Sequence, residues 1–346
     1  MRFVRSPFVW IGLGVSVVAL TLAFRGLHWG EVGGSVVGAN YALLALAVAV
    51  LLLAFYTRAI RWAVLFHPRT GLRMSHLFGT LNAGYALNNL LPLRVGELGR
   101  AYLICDTEDV SSGQALSTIV IERTLDTLTL VALLLVTLPF IDAPSWTRGP
   151  ALVFVSLGFL ALAVGLAAMS AAQERTMTLV RRLVRVLPEA LAGRIERAAE
   201  TGLQGFTVMR RPAVMAQAAG WSAVSWLLSA LVMYIVMQAF DLGLPFTAGL
   251  FVTCATGLGM IVPSSPGYVG VFHAIAIESL VSVFSVNRND AASFAFVQHA
   301  ILYLTPIAVS IAYFMRERGA WRDVRRWASG RGGPLAVENA AGDIES

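Results

Sequence analysis

Asn88-Asn89-Leu90-Leu91-Pro92-Leu93-Arg94-Val95-Gly96-Glu97-Leu98-Gly99-Arg100 interrupts an apolar run over residues 74–103, and the rest of the chain reads as housing for it. Two amides, two arginines and a carboxylate stand in this stretch. A bilayer interior charges about 2.5–3.5 kcal/mol for each ionised side chain, so a membrane segment with several must bury them in protein or in a wet cavity. Pro92, Gly96 and Gly99 break the run at its centre, and the apolar half before them is short for a span. A re-entrant hairpin fits that pattern better than a straight crossing.

The surrounding composition is that of a membrane protein. Of 346 residues, 57% are apolar and 13% charged, which excludes an ordinary soluble domain and leaves length for roughly six to eight crossings. A net charge of +6 raises the question of nucleic acid, but the arginines cluster beside apolar segments, as the positive-inside rule requires, and no nucleic-acid partner is expected. Lysine is absent, so every fixed cation is a guanidinium, able to grip a phosphate bidentately. Cys105 and Cys254 lack metal or redox spacing and read as packing residues.

Taken outward from that stretch, the pattern predicts crossings at 8–24, 41–66, 114–140, 151–172, 213–240 and 291–314, with a short outer link at 27–40. Arg2 and Arg5, and then Arg58, Arg61, Arg69 and Arg73, place both termini in the cytoplasm of a plasma (inner) membrane protein. The insertion at 173–212 carries Met177, Val180, Leu183, Val184, Leu187 and Leu191 at helical spacing among arginines, an amphipathic helix against anionic headgroups. Residues 332–346 read as a disordered polar tail.

A second broken segment lies at 246–286. Leu90, Leu91, Pro92, Gly96 and Gly99 match Ile261, Val262, Pro263, Gly267 and Gly270 in spacing, and two crossings precede and one follows each copy. The expected fold is therefore an all-α polytopic membrane protein with one membrane domain over 1–331. It divides into a first repeat (1–140) and an inverted second repeat (141–331), each with three crossings and one re-entrant hairpin. The alternative reads 246–286 as two full crossings, giving eight.

Five membrane arginines, Arg58, Arg61, Arg94, Arg100 and Arg123, face three carboxylates, Glu97, Glu122 and Asp126, so a cavity lined by them attracts an anion. Arg58 and Arg61 share a helical face, and so do Glu122 and Asp126. Spacing by three puts Glu97 between Arg94 and Arg100, neutralising one and leaving the other for a ligand. Asn88 and Asn89 serve either freed backbone groups or a phosphate. The competing reading is that these residues only satisfy each other and pin the hairpin, with Arg58 and Arg61 snorkelling to the interface. At the second break Ser264, Ser265, Gly267 and Gly270 offer hydroxyls and close backbone approach, followed by His273, Glu278, His299 and Tyr303. The two histidines read either as core residues or as substrate or proton contacts. No metal-ligand or nucleophile motif appears, so neither a cofactor nor enzymatic catalysis is expected.

RxxRW ending at Trp62, NNLLPLRVGELGR at 88–100, IERTLD at 121–126 and PSSPGYVGVF at 263–272 together resemble the membrane region of the lysylphosphatidylglycerol synthase/flippase family, over most of 8–314. That resemblance implies a flippase-like domain whose motif residues line a cavity for lipid headgroups. Full-length synthases of this kind carry a soluble aminoacyl-transfer domain after the membrane region, and only a short tail follows Arg331, so aminoacyl transfer is not expected. The family pattern has an acidic residue at the position of His273 and an arginine at that of His299, which implies that opposite charges have become a histidine pair. The function expected is movement of an anionic or zwitterionic lipid, or a lipid-linked phosphate, between leaflets, with Arg94, Arg100 and Arg123 on the phosphate. The alternative is a non-transporting accessory protein that binds lipid or a glycosyltransferase partner, with homo-oligomerisation open in either case.

Overall fold

The computed structural model describes residues 7–91, 94–108, 110–141, 172–185, 205–261 and 265–317, with isolated positions between 157 and 203. Ser264, Pro92, Pro263, the tail, most of the inner flank and all but a few positions of the expected fourth crossing lie outside the described residues. Every regular element among the described residues is a helix.

The first half comprises α1 (Pro7–Phe24), α2 (Trp29–Gly38), α3 (Tyr41–Leu65), α4 (Met74–Leu90), α5 (Gly96–Glu108) and α6 (Ser112–Thr137). The second comprises α7 (Gln173–Val184), α8 (Pro212–Ala239), α9 (Phe246–Gly259), α10 (Val271–Phe284) and α11 (Arg288–Arg316). Local sequence explains several of the starts. Asn40 Oδ1 accepts from the N–H groups of Ala42 and Leu43 at the head of α3, and Ser111 Oγ accepts from Gln114 N at the head of α6. Pro212 opens α8, where its missing N–H costs nothing.

Four helical segments are long and apolar enough to cross a bilayer: α3, α8, Pro266–Phe284 and α11. The 26 residues of α6 are as long, but Glu122, Arg123 and Asp126 interrupt their apolar character. Outward-facing Leu46 and Leu53 on α3, and Leu304, Ile311 and Met315 on α11, remain exposed, as side chains that face lipid rather than water should. The chain is thus a multi-pass integral membrane protein. Its largest core cluster joins Leu51 and Phe55 of α3, Val232 and Val236 of α8, Phe272 and Ile277 of α10, and Phe294 of α11, with alanines that let the helix axes approach.

The expected outer link at 27–40 is corrected in part, because it contains α2. Three interior glycines of α2, Gly30, Gly33 and Gly34, argue against a helix locally. Tertiary contacts override them: Asn289 Nδ2 donates to Glu31 Oε2 at 2.6 Å, Ser35 Oγ to Asp290 Oδ1 at 3.0 Å, and His28 N to Asn289 Oδ1 at 3.0 Å. At the end of the insertion, Val208 packs with Leu65, Ile121 and Ala218. The α7 helix leaves Leu179 and Leu183 exposed beside Arg181 and Arg182.

Two antiparallel helix pairs position the site. In α4 and α5, Gly96 N donates to Asn88 Oδ1 at 2.8 Å across the break, and Gly84 lies against Arg100. In α9 and α10, Gly259 meets Ile275 and Phe251 meets Phe284. The paired glycines are not conformationally equivalent: Gly96 begins a helix, whereas Gly267 has φ 65° and Gly270 φ 93°. A Cβ on Gly96 would stand 2.7 Å from Asn88 Oδ1 and 2.8 Å from Asn88 N, both too close. Gly96→Ala is therefore expected to cost about 1–3 kcal/mol, read as a lowered thermal midpoint in detergent; an unchanged midpoint would show that the pair relaxes freely.

Candidate functional site

The ends of the two helix pairs meet. The Arg94 guanidinium, on a residue at φ 54°, donates to the carbonyl of Met260 and lies 5.7 Å above the Tyr268 ring. Asn89 Nδ2 donates to Tyr303 O at 3.1 Å, and the Asn89 carbonyl faces Gly267. A side chain at position 267 would run into Tyr303, and the left-handed backbone there also favours glycine. Beside this junction, and reaching between α3, α6, α8, α9 and α11, is a cavity of about 400 Å³.

Of the expected site residues, Arg58, Asn88, Asn89, Arg94, Glu97, Arg123, Asp126, Gly267, His299 and Tyr303 line the cavity. Arg61, Arg100 and Glu122 do not. They are fully buried behind its wall, where Arg61 Nη1 meets Asp126 Oδ1 at 2.5 Å and Arg100 Nη2 meets Glu122 Oε1 at 2.8 Å. Arg61 Nη2 lies 3.4 Å from Glu122 Oε1, Trp226 Nε1 donates to Asp126 Oδ1 at 2.9 Å, and Arg100 stacks 5.0 Å above Trp62. Arg123 binds Glu122 and lies 3.4 Å from Asp126 Oδ2 and 3.7 Å from Glu97 Oε1.

This corrects the expected charge assignment. Glu97 partners Arg123, not Arg94 or Arg100, because α6 packs against α5 and brings its own guanidinium to that carboxylate. Arg100 is consumed by Glu122 and is not available to a ligand. Arg61, Arg100 and Arg123 balance Glu97, Glu122 and Asp126, so the network is neutral overall. The two remaining guanidiniums are Arg58 and Arg94. Among the described residues neither has a carboxylate within 4.0 Å. Arg58 is held instead by neutral groups: it donates to Ser229 Oγ at 3.0 Å and to Tyr85 OH at 3.4 Å, and lies 4.9 Å above the Trp226 ring. It packs between helices rather than snorkelling, as does Arg61.

The second break carries less ligand chemistry than its sequence suggests. Ser265 N donates to Ser16 Oγ on α1 and Ser265 Oγ to Val269 O, so both groups are engaged within the protein, and Ser265 does not line the cavity. The rings of His273 and His299 lie 4.6 Å apart. His299 lines the cavity with Nε2 2.8 Å from Gly267 O, a geometry in which Nε2–H donates. His273 is buried outside the cavity lining, and its Nδ1 accepts from Gly270 N at 3.4 Å.

Tyr85, Trp226, Ser229, Thr253, Thr256, Tyr268 and Gln298 also line the cavity and were not expected there. One signal was present in the chain. Ser222, Ser225 and Ser229 recur on one face of α8 within an apolar span, and they meet Arg61, Thr57 and Arg58 of α3 in turn. A polar stripe at helical spacing inside a membrane span marks an inward face. Thr253 has only Thr256 three residues on, and Gln298 stands singly, so neither forms such a stripe.

Fold and site together define an all-helical membrane protein with a cationic cavity at the junction of two broken helix pairs. The chain belongs to the family described as the lysylphosphatidylglycerol synthase TM region, which it matches over residues 9–310, and the resemblance read from the motifs is borne out. It is also similar to a protein described as "UPF0104 membrane protein" from Methanothermobacter thermautotrophicus (strain Delta H), with 26% identity over 316 residues, 86% of this chain and 92% of that protein.

Proposed function

We propose that the protein moves a phosphate-bearing lipid, anionic or zwitterionic, between leaflets, using the cavity as the headgroup site. The observation that carries this reading is the pair of guanidiniums, Arg58 and Arg94, that face the cavity with no carboxylate partner among the described residues. An unpaired cation in a membrane interior is costly, and a phosphate supplies the missing charge with charge-assisted hydrogen bonds. At about 400 Å³ the cavity is of a size that holds a headgroup and excludes the acyl chains. Membership of a lipid-related family supports the same class of ligand.

In this reading α4–α5 and α9–α10 are re-entrant hairpins in two inverted repeats, with both termini on the cytoplasmic side of a plasma membrane. The 17, 13 and 14 residues of α4, α5 and α9 fall short of the ~20 needed to span, and α10 has 14 of its own, reaching 19 only with the turn at Pro266–Tyr268 before it. Arg94 bridges the two hairpin ends through Met260 and Tyr268, so a phosphate that takes up this guanidinium loosens the bridge. Loading the headgroup would thereby favour exposure of the cavity to the other leaflet, while the neutral network stays fixed. Lipid translocation by these residues needs no bond to be made or broken, and the protein acts as a transporter, not an enzyme.

The test is redistribution of phospholipid and polyprenyl-phosphate probes in proteoliposomes, with wild type beside Arg94→Gly. Glycine relaxes the left-handed backbone at this position, so the variant removes the guanidinium without straining the turn. Redistribution of one lipid class, lost in the variant, is the expected result. Equal rates in wild type, variant and empty liposomes would overturn the proposal.

A further inference from the structure

Five buried polar atoms on the cavity's wall have no hydrogen-bond partner among the described residues: Arg58 Nε, Arg123 Nε, Thr253 Oγ1, and both Oε1 and Nε2 of Gln298. Arg123 Nε has Glu97 Oε1 3.7 Å away as an ionic partner, which leaves the atoms of Arg58, Thr253 and Gln298 with neither kind of partner. The three side chains come from α3, α9 and α11 and converge on one cavity. Gln298 and Thr253 are 0% and 3% exposed, so bulk solvent does not serve them. Leaving a buried polar atom unpaired costs about 1–3 kcal/mol, and packing alone is satisfied more cheaply by an apolar residue of the same shape. Polar residues kept at that cost mark a place where a ligand completes the hydrogen bonds.

We infer that Gln298 and Thr253, with the Nε side of Arg58, form a neutral hydrogen-bonding subsite that recognises a hydroxyl-bearing part of the lipid headgroup. This rests on the reading of the cavity as a headgroup site and specifies which headgroups it accepts. The donor and acceptor inventory makes the choice. A phosphate oxygen only accepts and would leave Gln298 Oε1 unpaired; an ammonium only donates and would leave Nε2 unpaired. A hydroxyl donates and accepts, as does Thr253, so a polyol satisfies both amide atoms at once. The phosphate then sits with Arg58 and Arg94, and the subsite lies beside the charge pair without adding charge of its own. A site built to hydrogen-bond a hydroxyl strongly rejects the analogue that lacks it.

The experiment measures equilibrium binding and redistribution of acyl-chain-labelled phosphatidylglycerol, phosphatidic acid and phosphatidylethanolamine by the full chain in proteoliposomes. Wild type should bind the glycerol headgroup about tenfold or more above the other two, and Gln298→Met and Thr253→Val should bring that preference close to unity. In both variants the loss of phosphatidylglycerol affinity should far exceed any change for phosphatidic acid, which presents no hydroxyl to the subsite. The ligand-free thermal midpoint of Gln298→Met should be equal to or above wild type, because the substitution removes unpaired groups; a purely structural glutamine would lower it. The subsite is overturned if wild type does not prefer the polyol, if the variants keep the preference, or if no lipid binds at all. Selective binding without redistribution would leave the subsite standing and overturn the transport proposal; redistribution without selectivity would do the reverse.

Discussion

Glu122→Gln is expected to lower the stability of the folded protein by about 3–5 kcal/mol, the largest effect of any single polar substitution considered, because it leaves buried guanidiniums without their counter-charge. Glu122 is fully buried and meets Arg61, Arg100 and Arg123. Glutamine keeps the shape and loses the charge, so three arginines would share Glu97 and Asp126 alone. The loss should appear as a lower thermal midpoint and a smaller folded fraction on gel filtration in detergent. The double replacement Arg100→Met with Glu122→Leu removes one charge of each sign and restores the balance, so it should recover much of the stability. A single variant as stable as wild type would mean that the network is not what holds α3, α5 and α6 together.

The second large effect is functional. Arg58→Met should reduce lipid binding by about 30-fold or more, since loss of one charge-assisted partner of a desolvated phosphate is worth about 2 kcal/mol or more. The thermal midpoint should change little, because Arg58 has no carboxylate to orphan among the described residues and methionine preserves most of the stem packed against Phe55, Tyr85 and Trp226. Arg58 and Glu122 thus make opposite pairs of predictions: stability kept and function lost for the first, stability lost for the second. Normal transport by a folded Arg58→Met protein would remove Arg58 from the site.

The extents of the main helices were legible because their signals are local. The expected crossing at 41–66 is α3 almost to the residue, since an asparagine cap, an apolar run and a basic end bracket it; the crossing at 213–240 is α8, opened by Pro212. The short α2 was not legible, because three interior glycines hide a helix that residues some 260 positions away stabilise through Glu31 and Ser35. The same division runs through the site. That arginines outnumber carboxylates inside the membrane region is a property of the chain.

By itself, then, the sequence determined a multi-pass helical membrane protein of this family, two broken segments, and an interior with excess positive charge. Which arginines are free was decided only by tertiary structure. Spacing along one helix suggested that Glu97 pairs with Arg94 or Arg100, but α6 supplies Arg123 to Glu97 and Glu122 to Arg100, and α3 supplies Arg61 to Asp126. Ion pairs in a low-dielectric interior form between the charges that packing brings within a few ångströms, whatever their separation along the chain, and those pairings leave Arg58 and Arg94 without a carboxylate among the described residues.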